Sequence, residues 1–389
     1  MKNLKAIVAV LTAMAVPSVV LAQTAEPLAE EATEERWYDD ISLGAFADAF
    51  YSVDWHMPSN PQAWTTGAAG DIPHRAYDYT NGFGLAFAGL DVAYNGEKVG
   101  ATLSLRYGAG AARLIGNDNP VLSTIAQAFV TWTPNDKLTF DLGQFGTIYG
   151  AEVAENWQNM NYTRGALYYL MQPFYHTGLR AAYQVNDTFG LTALVVNGTN
   201  LNGLGGFGED GNHSPHLGLQ ATITPSDALN LAVGWYGGAG GSGFGPNAPD
   251  DDGNWEHFFD VVVNGSVGKL SYIGNFDFYV IPDAGAGDAA FYWGIMGGLA
   301  YSLTDTFGVA GRLEYLDDPK GRYISGMYDG LFTATATLDY KPVKNLAIRL
   351  DAIRIEKAFG AGADIYATKD GASSVGITST LGVVVFGGY

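Results

Sequence analysis

The sequence predicts an all-β fold, a transmembrane antiparallel β-barrel of about sixteen strands. Three observations carry that expectation. Apolar and polar residues alternate with a period of two along most of the chain, the mark of strands with one greasy and one wet face. Similar short turns alternate with longer loops, so consecutive strands form a hairpin repeated along the chain. Aromatic residues on the apolar face gather at both strand ends around a band of Ala, Val, Leu, Ile and Gly, the distribution that the two interfaces of a bilayer select. Alternation alone would fit a soluble sandwich equally well, and the aromatic girdles decide between the two. In lipid an unpaired strand edge has no water to satisfy it, so the sheet has to close.

Met1 to Ala22 carries Lys2 and Lys5, an apolar run from Ala6 to Leu21 and Val20-Leu21-Ala22 before Gln23. That is the layout of a secretory signal peptide, and no other apolar stretch reaches about 18 residues. Residues 1–22 are therefore expected to be removed. Loss of the two lysines would take the formal charge from −20 to −22. Residues 23–36, QTAEPLAEEATEER, are acidic and lack aromatics, so they read as a flexible periplasmic tail with few apolar groups to offset chain entropy. Residues 37–389 form the barrel domain.

Within it, Leu43, Ala45, Ala47, Ala49, Tyr51 and Val53 alternate with Ser42, Gly44, Asp48, Ser52 and Asp54. Val99 to Tyr107, Leu217 to Ile223 and Phe332 to Tyr340 repeat the pattern. The stretch from Phe83 to Tyr94 slips in phase near Gly89, where a bulge is expected. The short turns resemble one another, as in Trp132-Thr-Pro-Asn-Asp-Lys-Leu138 and Ile223-Thr-Pro-Ser-Asp-Ala-Leu229. Tyr94, Trp132, Tyr183, Phe189, Tyr301, Phe307 and Tyr340 flank the turns, while Tyr51, Tyr107, Trp235, Trp293 and Tyr315 lie toward the long loops. The last strand places Val375, Ile377, Leu381, Val383, Val385 and the terminal Tyr389 on one face. A terminal aromatic there resembles the signal read by the outer-membrane barrel assembly machinery of Gram-negative bacteria.

Composition closes several alternatives. The acidity argues against nucleic acid as a partner. The chain has no Cys, which excludes disulfides and thiolate chemistry. No cofactor is called for. Asp250, Asp252, Asn254 and Glu256 have the alternating oxygen-rich spacing of a calcium loop but are too few for an EF-hand; a solvated loop, or divalent bridging to lipopolysaccharide, competes with that reading. His213-Ser-Pro-His216 offers no acid placed to orient either His, so no enzyme is expected.

One stretch escapes the alternation. Phe145 to Thr177, FGTIYGAEVAENWQNMNYTRGALYYLMQPFYHT, is too aromatic and too mixed to be disordered, and is read as an ordered loop folded into the lumen. Here Gly143-Gln-Phe-Gly-Thr-Ile-Tyr-Gly-Ala-Glu152, Trp157-Gln-Asn-Met-Asn-Tyr-Thr-Arg-Gly165, Pro173-Phe-Tyr-His-Thr-Gly178, Tyr183-Gln-Val-Asn-Asp187 and Asn197-Gly198 resemble the OmpL-like porins, the β-barrel porin-2 family. The resemblance implies an outer-membrane porin for passive diffusion of small hydrophilic solutes and ions. It also implies an inward third external loop and, by analogy with sixteen-stranded porins, a homotrimer surrounded by outer-membrane lipid and lipopolysaccharide.

From the residues themselves, a barrel this wide leaves an aqueous channel. Ionisable groups on the polar face, namely Arg106, Asp141, Arg180, Arg312, Glu314, Arg349 and Asp351, belong on its wet side, because facing lipid near the midplane would cost the arginines about 2–4 kcal/mol each and the acids less. An inward loop would set Glu152 and Glu155 across a constriction from wall arginines. Two other readings stay open. One is a sugar-selective channel with an aromatic track formed by Phe46, Phe50, Tyr236, Tyr279 and Tyr292; the other is a barrel without a channel, acting as an adhesin or receptor.

Overall fold

The computed structural model describes residues 38–56, 74–76, 81–115, 122–200, 214–239, 255–281, 289–319 and 328–388. The expected signal peptide and acidic tail, Tyr389, and three of the four calcium-loop residues, Asp250, Asp252 and Asn254, lie outside them.

The strands are β1 (Ile41–Asp54), β2 (Gly82–Asn95), β3 (Val99–Tyr107), β4 (Ile125–Asn135), β5 (Leu138–Gly146), β6 (Tyr175–Gln184), β7 (Phe189–Val196), β8 (His216–Ser226) and β9 (Leu229–Ala239). They continue with β10 (Trp255–Val267), β11 (Leu270–Ile281), β12 (Ala290–Ser302), β13 (Phe307–Asp317), β14 (Gly330–Val343), β15 (Leu346–Phe359), the short pair β16 (Tyr366–Thr368) and β17 (Gly371–Ser373), and β18 (Val375–Gly387). Each strand pairs antiparallel with its sequence neighbour, and β18 joins β15 to β1 to close a sixteen-stranded barrel. The closing register runs from Ala45 opposite Gly387 to Asp54 opposite Thr378, which leaves the barrel no edge. β16 and β17 form a separate hairpin inside the last long loop.

Burial is inverted relative to a soluble protein. Asp48, Asp260, Asp277 and Thr333 have no solvent exposure, whereas Leu43 is 60% exposed and Leu313 59%. The apolar set faces outward and the charged set faces the lumen, an arrangement that only a lipid surround makes stable. The girdle residues Trp132, Tyr183, Tyr301, Phe307 and Tyr107 are among the exposed aromatics.

The expected bulge in β2 exists but lies a few residues earlier. Asp48 pairs with Phe87 and Ala49 with Leu85, so Ala86 is the extra residue. A second bulge lies in β15, between Asp351 and Arg354. Two short helices are additions that alternation gave no sign of: α1 (Ala109–Ile115) in the second long loop and α2 (Ala166–Met171) in the third, hereafter L3. L3 occupies residues 147–174, because β5 and β6 each run further into the stretch than the sequence indicated.

Candidate functional site

The strand that leads into L3, β5, carries a glycine that the geometry requires. Gly143 has φ +139°, and a Cβ on it would lie 2.3 Å from the Ala128 carbonyl oxygen of β4. Beyond it the loop crosses the lumen and meets the wall over most of its circumference. Gln220 of β8 donates to the Ile148 carbonyl, and the Tyr149 hydroxyl donates to the Trp235 carbonyl of β9 at 2.8 Å. The Ala151 N–H reaches Asn275 Oδ1 of β11 at 3.0 Å. At the far side Asn156 donates to Asp48 of β1 at 2.6 Å, and Trp157 stacks on Phe386 of β18 at 4.6 Å. The returning limb carries α2, whose first N–H groups meet Glu314 of β13.

The loop is mostly irregular, so many of its backbone groups lack the partners that a helix or sheet would supply. Burying them bare would cost about 1–3 kcal/mol each. The wall supplies those partners. Arg349 donates to the carbonyls of Asn156 (2.7 Å), Met160 (2.5 Å) and Asn161 (3.4 Å). Asp351 accepts from the N–H groups of Tyr162 (3.1 Å) and Thr163 (2.7 Å) and from the Thr163 hydroxyl (2.5 Å). Arg354 donates to the Arg164 carbonyl at 2.7 Å. Apolar packing adds to this: Leu167, Leu170 and Met171 share a buried cluster with Tyr279, Tyr292 and Met296, and the Tyr279 hydroxyl donates to the Met171 carbonyl at 2.9 Å.

The charges expected to oppose one another across water are instead in contact. Glu152 Oε1 lies 2.6 Å from Arg312 Nη1, and Glu155 Oε1 lies 2.8 Å from Arg106 Nε. Arg312 also pairs with Glu314 at 3.3 Å, Arg106 with Asp91 at 2.9 Å, and Arg180 with Asp141 at 2.8 Å. Burial raises the Glu152 carboxyl above its ordinary range; Arg312 opposes that and Glu314 adds to it. Arg164 is an internal brace, donating to the Ala154 carbonyl, to Asn156 and to the Tyr169 hydroxyl. Glu256 is buried near the long-loop end of β10.

The aromatics considered for a sugar track are buried beneath loop side chains. Phe46 meets Trp157 edge-on at 6.3 Å, Tyr236 lies 5.8 Å from Tyr149, and Tyr279 and Tyr292 stack at 4.5 Å. Two glycines explain how rings fit against the wall: the Tyr162 ring occupies the place of a Cβ at Gly382, and the Tyr149 hydroxyl lies 2.4 Å from one at Gly218.

Several partners escaped the sequence reading. Arg354 and Glu356 sit on the outward face if alternation is carried on from Arg349, and the β15 bulge turns them inward. Glu356 there gathers Arg354 (2.7 Å), Arg75 (3.2 Å) and His74 (3.2 Å) of the first long loop. The signal was present, since two charges at lipid-facing positions are an energetic contradiction that a one-residue slip removes. Asp48, Asn156 and the register pair Asp260 and Asp277 carried no comparable signal.

The family model described as "Putative beta-barrel porin-2, OmpL-like" matches residues 40–385. The chain belongs to this family. It is thus a channel porin of the bacterial outer membrane, and the lumen that L3 crosses is its channel. The fold agrees with solved porins. OmpT of Vibrio cholerae superposes with a TM-score of 0.55 at 12% identity, covering 89% of this chain and 97% of that one. The outer membrane channel DcaP of Acinetobacter baumannii gives 0.56 at 12% identity, with coverage of 89% and 97%. An anion-selective porin from Comamonas acidovorans gives 0.56 at 12%, with 89% and 99%. At that identity the likeness is one of fold. No curated protein matches the sequence.

Proposed function

We propose that this porin passes small hydrophilic solutes and ions by diffusion through a passage between L3 and the β4–β7 wall, with a weak preference for cations. One observation carries the reading: apart from Thr147 on His176 at the root of the loop, the hydrogen bonds of L3 to the wall reach β8, β9, β11, β13–β15, β1 and β3, so the loop leans on one arc of the barrel. On the other arc, half-buried Gln127, Thr131, Thr139, Gln184 and Thr192 line the lumen with neutral polar groups. The charges still open to water near the narrowing are acids, with the Asp91 side chain 23% and Glu155 15% exposed, while Arg106 and Arg312 are at 7% and 2%. Charges beyond about 8 Å are screened at physiological salt, so these near groups set the selectivity.

Reversal potentials across a KCl gradient test it. Replacing Glu152 and Glu155 by Gln together is expected to shift selectivity toward anions, with Glu155 responsible for most of the shift; no shift would sink the assignment. Liposome swelling with sugars of graded size should follow mass, since the candidate track residues lie under the loop. Absence of single-channel conductance in a folded barrel would leave the adhesin or receptor reading. Chemical cross-linking should give a trimer, the form recorded for OmpT of Vibrio cholerae. N-terminal sequencing should find Gln23 first.

A further inference from the structure

The outer wall of the porin keeps charge away from lipid, with one basic exception. Among the outward positions of the described strands, Lys357 of β15 is the only Lys or Arg. It points outward because the β15 bulge, in turning Arg354 and Glu356 into the lumen, leaves Ile353, Ile355, Lys357 and Phe359 on the opposite face. An ammonium at the bilayer midplane is heavily penalised and one near the interface is not. Lys357 is near the interface. It lies two residues from the long-loop end of its strand, opposite Phe332 in register, and its ammonium is 5.8 Å from the Phe359 ring centroid. Phe359 in turn meets the girdle residue Tyr315 at 6.3 Å.

Lys357 donates to the Ser374 hydroxyl oxygen, and among the described residues no carboxylate reaches it within ion-pair distance. Beside it a cavity of about 290 Å³ opens between the end of β15 and the last loop. Ser374, Asp364 and the turn through Gly360 and Gly362, both at positive φ (93° and 81°), line it together with Ala358, Phe359 and Ala363. An uncompensated ammonium beside a polar cavity, at the headgroup level of the leaflet the long loops face, is complementary to an anionic headgroup.

We propose that this cavity seats one phosphate of an anionic phosphoglycolipid of the outer leaflet. The Lys357 ammonium is the counter-ion. The Ser374 hydroxyl, which accepts from Lys357, keeps its own proton to donate to a phosphate oxygen. Asp364, at the rim, accepts from a hydroxyl of the sugar that bears the phosphate. A lipid headgroup fits better than a free anion, since the ammonium projects from the lipid face and not from the channel.

Native mass spectrometry of the full barrel in detergent tests this, with bisphosphorylated lipid A, its dephosphorylated counterpart and inorganic phosphate as probes. One bisphosphorylated lipid should remain bound, and the dephosphorylated form should bind about tenfold more weakly or worse, the scale of one charge-assisted contact. K357M should lose about as much while K357R keeps binding, both with normal heat-modifiability and conductance. Equal binding of the two lipids to the wild-type barrel would overturn the proposal even if K357M failed to fold. So would K357M binding like the wild type, or displacement of the lipid by equimolar inorganic phosphate, which would mark a site for soluble anions.

Discussion

On the arc from β13 to β15, three lumen-facing charges end on the backbone of L3: Arg349 on three carbonyls, Asp351 on two N–H groups, Glu314 on the start of α2. On the arc from β4 to β7, Arg180 and Asp141 end on each other, with Thr131 donating to Asp141 at 2.7 Å and the guanidinium 4.7 Å from the Phe145 ring centroid. The same residue types thus do different work. Where the wall meets irregular backbone, charge is consumed in hydrogen-bonding it. Where it meets the proposed passage, the pair neutralises itself within the wall. A list of lumen-facing charges is therefore no guide to the field in the channel until each one's partner is known.

Removing the loop should abolish the difference between the two arcs. A variant lacking Val153 to Ala166 keeps both flanking strands, and its single-channel conductance is expected to rise several-fold, with larger sugars entering liposomes. Unchanged conductance in a heat-modifiable variant would place the passage elsewhere.

Single substitutions sharpen the contrast. Arg349→Met strips donors from three buried carbonyls, at about 1–3 kcal/mol for each left unsatisfied. It should lower the temperature at which the barrel loses its compact electrophoretic form and make the open channel noisier. Arg180→Met should leave L3 seated and shift the reversal potential toward cations, because Asp141 loses its counter-ion. Identical behaviour of the two variants would erase the distinction between the arcs.

A smaller effect is expected from Gly382→Val, whose side chain would take the place of the Tyr162 ring, at an overpacking cost of about 1–3 kcal/mol. Gly297→Ala, with nothing within 4 Å of the new Cβ, is the matched control and should be silent in the same denaturation assay.

The smallest effect concerns the long-loop end. His74 is fully buried, 2.8 Å from the Tyr328 hydroxyl and 3.2 Å from Glu356, with Arg75, Arg354 and Tyr366 around it. Burial lowers its pKa, against the pull of Glu356. A His held below its unfolded value of about 6.5 contributes stability that is complete above that pH and is lost as the pH falls through it. After division by the intrinsic pH dependence of exchange, amide protection around Tyr328 and Tyr366 should therefore fall between pH 7.5 and 5, while protection in β4 to β7 stays constant. Equal change in both regions would assign the effect to the barrel as a whole.

The strand count, the two girdles and the inward faces of Arg106, Arg180, Arg312 and Arg349 were legible because a strand's side chains alternate with a period of two and lipid penalises a misplaced charge. Membership of the porin family was legible in the block from Gly143 to Gly198, which the family model includes. What the sequence could not determine was whom each charge would meet. Glu152 and Arg312 are 160 residues apart, and Arg349 and Asn156 are 193 apart. Such pairs depend on where an irregular loop crosses a closed barrel, which no local periodicity encodes. The β15 bulge marks the same boundary: one extra residue reverses every later side chain, sending Glu356 to the first loop and Lys357 to the lipid. Only the tertiary register decides which residue that is, because alternation by itself is equally satisfied by either phase.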